Sequence, residues 1–302
     1  MKTILVTGSN GLLGQKLTER ILTIGDAKLI ATSVGPNRNP VIEGYTYAEL
    51  DITVEAESRQ IISKYKPDVV INTAAMTNVD TCEKEKELCR KMNVEAVEYL
   101  IRICEELDIQ LIHLSTDFIF DGEAGPYTED AEPNPVSFYG ESKLAAEDLL
   151  KASSCRWTIL RTIIVYGIVN DMSRTNIVLW AKSALEKGDP INVVYDQWRM
   201  PTLAEDLADC CMLAAVKGAQ GVYNASGKDL MSIVELVEHV ADFWHLDKSL
   251  INPISSDTLK QPARRPKRTG FILDKSMLEL GYTPRSFKEG LAVVDKQLKI
   301  NR

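Results

Sequence analysis

Histidine is scarce in this chain: among 302 residues only His113, His239 and His245 carry an imidazole. There is no H-E-x-x-H pair and no Cys/His cluster, so no protein-built zinc or iron site is expected. Imidazole-based acid/base chemistry has few candidates. The six cysteines, at 82, 89, 104, 155, 210 and 211, form no C-x-x-C pair, and buried reduced thiols are the expectation. Long apolar runs are missing too. The opening MKTILVTGSN holds only ILV before its glycine, too little for a signal-peptide core. No stretch approaches the roughly 20 apolar residues of a membrane span. Nor does a basic tract occupy either end, and the formal net charge is −8. Nucleic acid or an anionic membrane would need a positive field over one face, so neither partner is expected. A cytoplasmic protein is the expectation.

What is present is ordinary globular material: 45% hydrophobic and 26% charged residues, in a length that suits one elaborated domain or two. The first half alternates short β-branched runs with helical patterns. KTILVTG reads as a strand, and LLGQKLTERILTIG as a helix with Leu13, Leu17, Ile21 and Ile24 on one face. AKLIATSV, PDVVINTAA, IQLIHLSTD and RWTILRTIIVYG read as further strands, separated by helices around VEAESRQIISKYK, CRKMNVEAVEYLIRICEELD and the segment holding Tyr139. Such alternation predicts an α/β fold: a doubly wound parallel sheet of Rossmann type with right-handed crossovers. DVVIN and TILRTIIVY are apolar on both faces, as a sheet covered on both sides requires. After Gly188 the pattern loosens, and 203–217 reads as a helix returning to the first unit. The expected division is a dinucleotide-binding domain over 1–167 plus about 192–218, with a smaller mixed α/β substrate domain over about 168–191 plus 219–302.

VTGSNGLLG places Gly8, Gly11 and Gly14 directly after the first strand and at the opening of the first helix. Glycines there permit a tight turn and close approach of backbone to a pyrophosphate, beside the positive end of a helix. The alternative is a turn that needs glycine only for packing. An NAD-specific site would put an acidic residue at the end of the second strand. ATSVGPNR offers Thr32 and Ser33 instead, with Arg38 nearby. NADP(H) is therefore the preferred cofactor, and NAD(H) stays open.

Of ten tyrosines, only Tyr139 has a lysine, Lys143, four residues later. On a helix the two side chains share a face. An ammonium beside a phenol favours the phenolate and is expected to lower the tyrosine pKa, suiting it to general acid/base work.

These segments together resemble the extended short-chain dehydrogenase/reductase family over nearly the whole chain. TGSNGLLG is similar to its cofactor glycines, LDIT to its adenine-side acidic segment, NTAA to its fourth-strand motif, and STD with YGESK to its reaction centre. The resemblance implies that Thr116 hydrogen-bonds a substrate carbonyl, that Tyr139 protonates it, and that Lys143 holds the nicotinamide ribose. On the cofactor it implies contacts from Asn10 and Leu12 beside the glycines, and from Ser33 and Arg38 at the second strand. Asp51 and Ile52 would lie by the adenine, Ala74 and Ala75 by the cofactor backbone. Asn93 would support the lysine through water, unless it is a helix-surface amide. For the substrate it points to Asp117, to Ile164 and Arg199 (positions that depart from the family pattern), to Trp198 and to Arg265. Arg265 lies in the basic run Arg264 to Arg268, which could also be solvated loop charge. The implied activity is NADPH-dependent reduction of a nucleotide-linked 4-keto sugar. Another sugar-nucleotide reductase or epimerase, or a non-catalytic nucleotide-binding regulatory subunit, are the alternatives. The helices at 89–107 and 137–152 are candidate faces of a homodimer.

Overall fold

In the computed structural model, which describes residues 1–170 and 175–300, the strands β1 (Lys2–Thr7), β2 (Ala27–Ser33), β3 (Thr46–Glu49), β4 (Val69–Asn72), β5 (Gln110–Thr116) and β6 (Trp157–Thr162) lie in one parallel sheet. A short pair, β7 (Ile191–Val194) and β9 (Ile251–Ile254), stands apart, while β8 (Gly221–Asn224) completes the main sheet beside β6. The order β8-β6-β5-β4-β1-β2-β3 reverses direction at β1 and β4. That switch point opens a crevice at the carboxyl ends of the strands.

Alternation along β1 explains the two covered faces. Ile4 and Val6 pack with Leu17 and Ile21 of α1 (Leu12–Ile24) and with Leu207, Cys210 and Cys211 of α8 (Ala204–Lys217). Leu5 points the other way, among Ile62 of α2 (Glu55–Tyr65), Leu100 of α5 (Ala96–Glu106) and Leu150 of α6 (Phe138–Ala152). All six cysteine side chains are buried. A third apolar cluster joins α7 (Ile177–Glu186), α9 (Ile233–Trp244) and α10 (Phe287–Ile300) with β7 and β9. No helix among the described residues is long and apolar enough to cross a membrane.

Several elements differ from expectation. β8, expected in the smaller unit, pairs with β6 in the main sheet, and β7, whose residues 192–194 were expected in the larger unit, pairs with β9. Residues 171–174 of the smaller unit lie outside the described residues. The strand expected through Tyr166 ends at Thr162, because Ile164 takes φ +30 and turns the chain. The helix expected across 89–107 is interrupted by a π-turn, Lys91–Glu95, between α4 (Lys86–Arg90) and α5. A short helix α3 (Val79–Lys84) precedes it. β3 and α10 go beyond the expected elements. β3 is too short for periodicity to register, whereas α10 shows a signal in Phe287, Leu291 and Val294 on one helical face.

Candidate active site

A cleft of about 590 Å³ lies at the switch point, with Gly8, Gly11 and Gly14 at one end and Thr116, Tyr139 and Lys143 in its wall. The three glycines have different reasons. Gly8 adopts φ +65, and a Cβ there would stand 2.9 Å from the Ala74 nitrogen. A Cβ on Gly14 would overlap the Gly8 carbonyl oxygen. Packing therefore accounts for both. Gly11 is exposed and forms the N-cap of α1, where no side chain caps the helix. The first-turn N–H groups of α1 consequently face the cleft, and that arrangement suits a phosphate. Nearby, the Ser9 hydroxyl is buried with no protein partner.

The segment after β2 folds over this turn. Asn10 receives the Arg38 N–H at Oδ1, 2.9 Å, and donates to the Pro36 carbonyl at 3.0 Å. Thr32 is fully buried and bonds the Val6 carbonyl, Ser33 is half-buried and Arg38 exposed, and none of the three is in the cleft lining. The Ser33 carbonyl takes the Leu50 N–H at 2.9 Å, which sets the following Asp51 and Ile52 beside the end of β2. Asp51 is itself engaged at Oδ1 with Thr53 N–H (2.9 Å) and hydroxyl (2.8 Å), and Ile52 is buried. Ala74 backs Gly8, whereas Ala75 and Leu12 line the cleft.

α6 carries Tyr139 and Lys143 one turn apart, its first turn capped by the Ser137 hydroxyl, which accepts the Gly140 N–H at 3.3 Å. A buried pair holds the helix to the sheet. Arg161 of β6 bonds Glu147 in two-pronged fashion at 3.0 and 2.7 Å, and the Ser115 hydroxyl adds 2.6 Å. The expected depression of the Tyr139 pKa is not what the structure holds. Burial raises it above its ordinary value, against a hydrogen bond with Thr116 and with a smaller contribution from Asp117. Desolvation penalises the phenolate more than its neighbours stabilise it. Lys143 is also buried, its amine shifted down to about 8 by desolvation, and its Nζ lies 3.0 Å from His113 Nε2.

Asn93 is no surface amide. The π-turn rotates it inward to 1% exposure, where it accepts from Met76 N–H (2.8 Å) and donates to the Met76 carbonyl (3.0 Å) and Ser142 Oγ (3.1 Å). It thereby ties the loop after β4 to the residue preceding Lys143. π-Turns of this kind recur at functional sites.

On the substrate side, Asp117 is buried. It accepts from the Thr269 hydroxyl and from Thr116 at 3.1 Å, and lies 3.6 Å from Arg199 Nε. Desolvation raises its pKa against the pull of Arg199. The Arg199 guanidinium borders the cleft, yet it donates to the carbonyls of Trp198 (2.7 Å) and Pro266 (2.7 Å). Its fork is thus engaged with the protein. Ile164 lines the cleft; Trp198 stands outside that lining, with Arg268 over its ring. Of the basic run, only Arg265 reaches the cleft, held to Asp80 of α3 at 2.8 and 3.2 Å. Burial works against the Asp80 charge, but Arg265 and the Ala263 N–H keep its carboxyl below the ordinary range. Among the lining residues outside the sequence-based set are Gln197, which precedes Trp198, and Phe118, a neighbour of the STD segment. His113, behind the cleft, does have a signal, as a polar residue inside an apolar strand.

Fold and cleft together define an extended short-chain dehydrogenase/reductase. The family profile described as "RmlD substrate binding domain" matches residues 1–300, and the chain belongs to that family. A probable low-salt glycan biosynthesis reductase of Haloferax volcanii is 30% identical over 292 residues, spanning 96% of each chain. Methionine adenosyltransferase 2 subunit beta of Xenopus laevis is 29% identical over 281 residues, 91% of this chain and 81% of that one. A solved dTDP-4-dehydrorhamnose reductase from Clostridium acetobutylicum has a TM-score of 0.87 at 29% identity, covering 98% of this chain and 99% of that one. The Bacillus anthracis dTDP-4-dehydrorhamnose reductase, solved in complex with NADP, has a TM-score of 0.83 at 25% identity over 98% and 99%.

Proposed function

We propose that the protein is an NADPH-preferring reductase of a nucleotide-linked 4-keto sugar, converting dTDP-4-dehydro-L-rhamnose to dTDP-L-rhamnose. One observation carries the reading: Thr116, Tyr139 and Lys143 line the same cleft as the open N-terminus of α1. The glycine turn fits a dinucleotide, since the uncapped N–H groups beside Gly11 can take its phosphates while Lys143 reaches its ribose. When bound, NADPH supplies the hydride that reduces the carbonyl carbon. Thr116 polarises the carbonyl oxygen, and Tyr139 gives that oxygen a proton. Burial keeps the phenol protonated through neutral pH, which suits an acid in the reductive direction. The phenolate left behind is stabilised by the Lys143 ammonium on the same helix face. With an amine pKa of about 8, that ammonium is present below pH 8 and is lost above it, so turnover should fall on the alkaline side.

The kinship with methionine adenosyltransferase 2 subunit beta supports a second reading, a regulatory subunit that binds nucleotide without turnover. NADPH oxidation against a panel of nucleotide-linked 4-keto sugars separates the two. Stoichiometric oxidation with one of them supports the reductase. No oxidation with any, despite tight cofactor binding, defeats it. Redistribution of sugar epimers with no net NADPH loss would mean an epimerase instead.

A further inference from the structure

His113 sits in the middle of β5 with 1% of its surface exposed. A buried imidazole is costly unless both ring nitrogens find partners. Nε2 lies 3.0 Å from Lys143 Nζ, and Nδ1 lies 3.2 Å from Asn72 Nδ2. Asn72 Oδ1 accepts the Thr7 hydroxyl at 2.6 Å, and Thr7 Oγ1 accepts the Ala74 N–H at 3.3 Å. A file of buried polar side chains thus crosses β1, β4 and β5, from behind the glycine turn to Lys143.

Two arrangements satisfy His113, Asn72 and Lys143 together. With Lys143 as an amine, Nε2–H donates to Nζ and Asn72 Nδ2 donates to Nδ1. With Lys143 as an ammonium, Nζ donates to Nε2, and Nδ1–H is answered by the carboxamide oxygen of a turned Asn72. The ring is neutral in both, and only its tautomer differs. We infer that His113 is the positioning residue of Lys143: a neutral imidazole that anchors Nζ and changes tautomer as Lys143 changes protonation. Burial, and then the Lys143 charge, hold the His113 pKa well below its ordinary value of 6.5. The other groups acting on Lys143 are Glu147 on its own helix, Cys82 on α3 and Cys89 on α4. Glu147 is engaged by Arg161, Ser115 and Lys151. A neutral anchor orients the ammonium without retaining its proton as a carboxylate would. That is how a buried lysine can be fixed in place and still titrate near neutrality.

The consequence for turnover rests on the reductase reading; the His113–Lys143 coupling does not. Ring nitrogen-15 NMR of the full chain, with His113 assigned through His113→Gln, tests the coupling directly. His113 should stay neutral from pH of about 5 to 9, and its Nε2 should change from acceptor to donor as Lys143 deprotonates. The change should vanish in Lys143→Met. A ring that gains a proton near its ordinary pKa, or a tautomer indifferent to Lys143, overturns the inference whatever the enzyme does. In the active protein, His113→Leu strands a buried donor and should move the alkaline limb of kcat/KM down by about one pH unit or more. His113→Glu should move it up, and His113→Gln, which keeps an acceptor, should leave it near its original position. Loss of activity by the same factor at every pH, with the limb unmoved in all three, would mean that His113 only fills space.

Discussion

The backbone of Gly140 presses against the carbonyl oxygen of Phe118, leaving no room for a Cβ between them. This contact seats the first turn of α6 on the turn after β5, and so brings Tyr139 beside Thr116. Gly140→Ala should force the two apart. Overpacking of this kind costs about 1–3 kcal/mol, so denaturant midpoints should fall and turnover should fall further than stability alone explains. Unchanged turnover would show that the helix can shift without disturbing the phenol.

Tyr139→Phe keeps the ring in its apolar surroundings and removes only the proton donor. NADPH affinity should persist while turnover drops by roughly 10²-fold or more. Single-turnover absorbance at the reduced-nicotinamide band measures both. Near-normal turnover would place the proton donor elsewhere than Tyr139.

β2 ends at Ser33 with no acidic residue of its own at that end, and Arg38 follows five residues later. Calorimetry should show NADPH binding more tightly than NADH, and Arg38→Ala should narrow the gap by about tenfold. Equal affinities in the parent protein would remove the basis for an NADP preference.

Arg265 is the one member of the basic run in the cleft lining, whereas Arg199 is tied to backbone carbonyls and Asp117. Arg265→Ala should therefore raise KM for the nucleotide sugar with kcat and NADPH affinity little changed, as expected for lost ground-state binding. Part of any loss could come from freeing Asp80, so Asp80→Asn is the companion variant. If Asp80→Asn reproduces the whole effect, the diphosphate contact lies elsewhere.

Glu147 and Arg161 form a buried pair behind the cleft. Burial opposes the Glu147 charge, but Arg161 and Ser115 outweigh it and hold the carboxyl below its ordinary 4.5. Its contribution to stability is therefore complete above pH 4.5 and is lost as pH falls through the lower folded-state value. Glu147→Gln should cost about 3–5 kcal/mol at neutral pH, since it leaves a buried guanidinium short of its charge partner. Urea titrations at pH 7 and pH 3 should show the difference shrinking in acid.

The parts legible in the chain are those that depend on near neighbours. Apolar alternation gives β1 its two buried faces, Ile4 and Val6 against Leu5. Spacing of four puts Tyr139 and Lys143 on one side of a helix. Gly8, Gly11 and Gly14 follow a strand and open a helix, although the chain does not say that packing leaves no room for a Cβ at Gly8 and Gly14 while Gly11 is exposed. The remainder arises from contacts between residues far apart in sequence. Lys143 meets His113 from 30 residues away, Arg265 meets Asp80 from 185, and Asn72 meets Thr7 from 65. The direction of the Tyr139 shift belongs to the same class. A local rule counts the lysine one turn away, but desolvation sums over every element that closes around the phenol. Only folding brings those elements together.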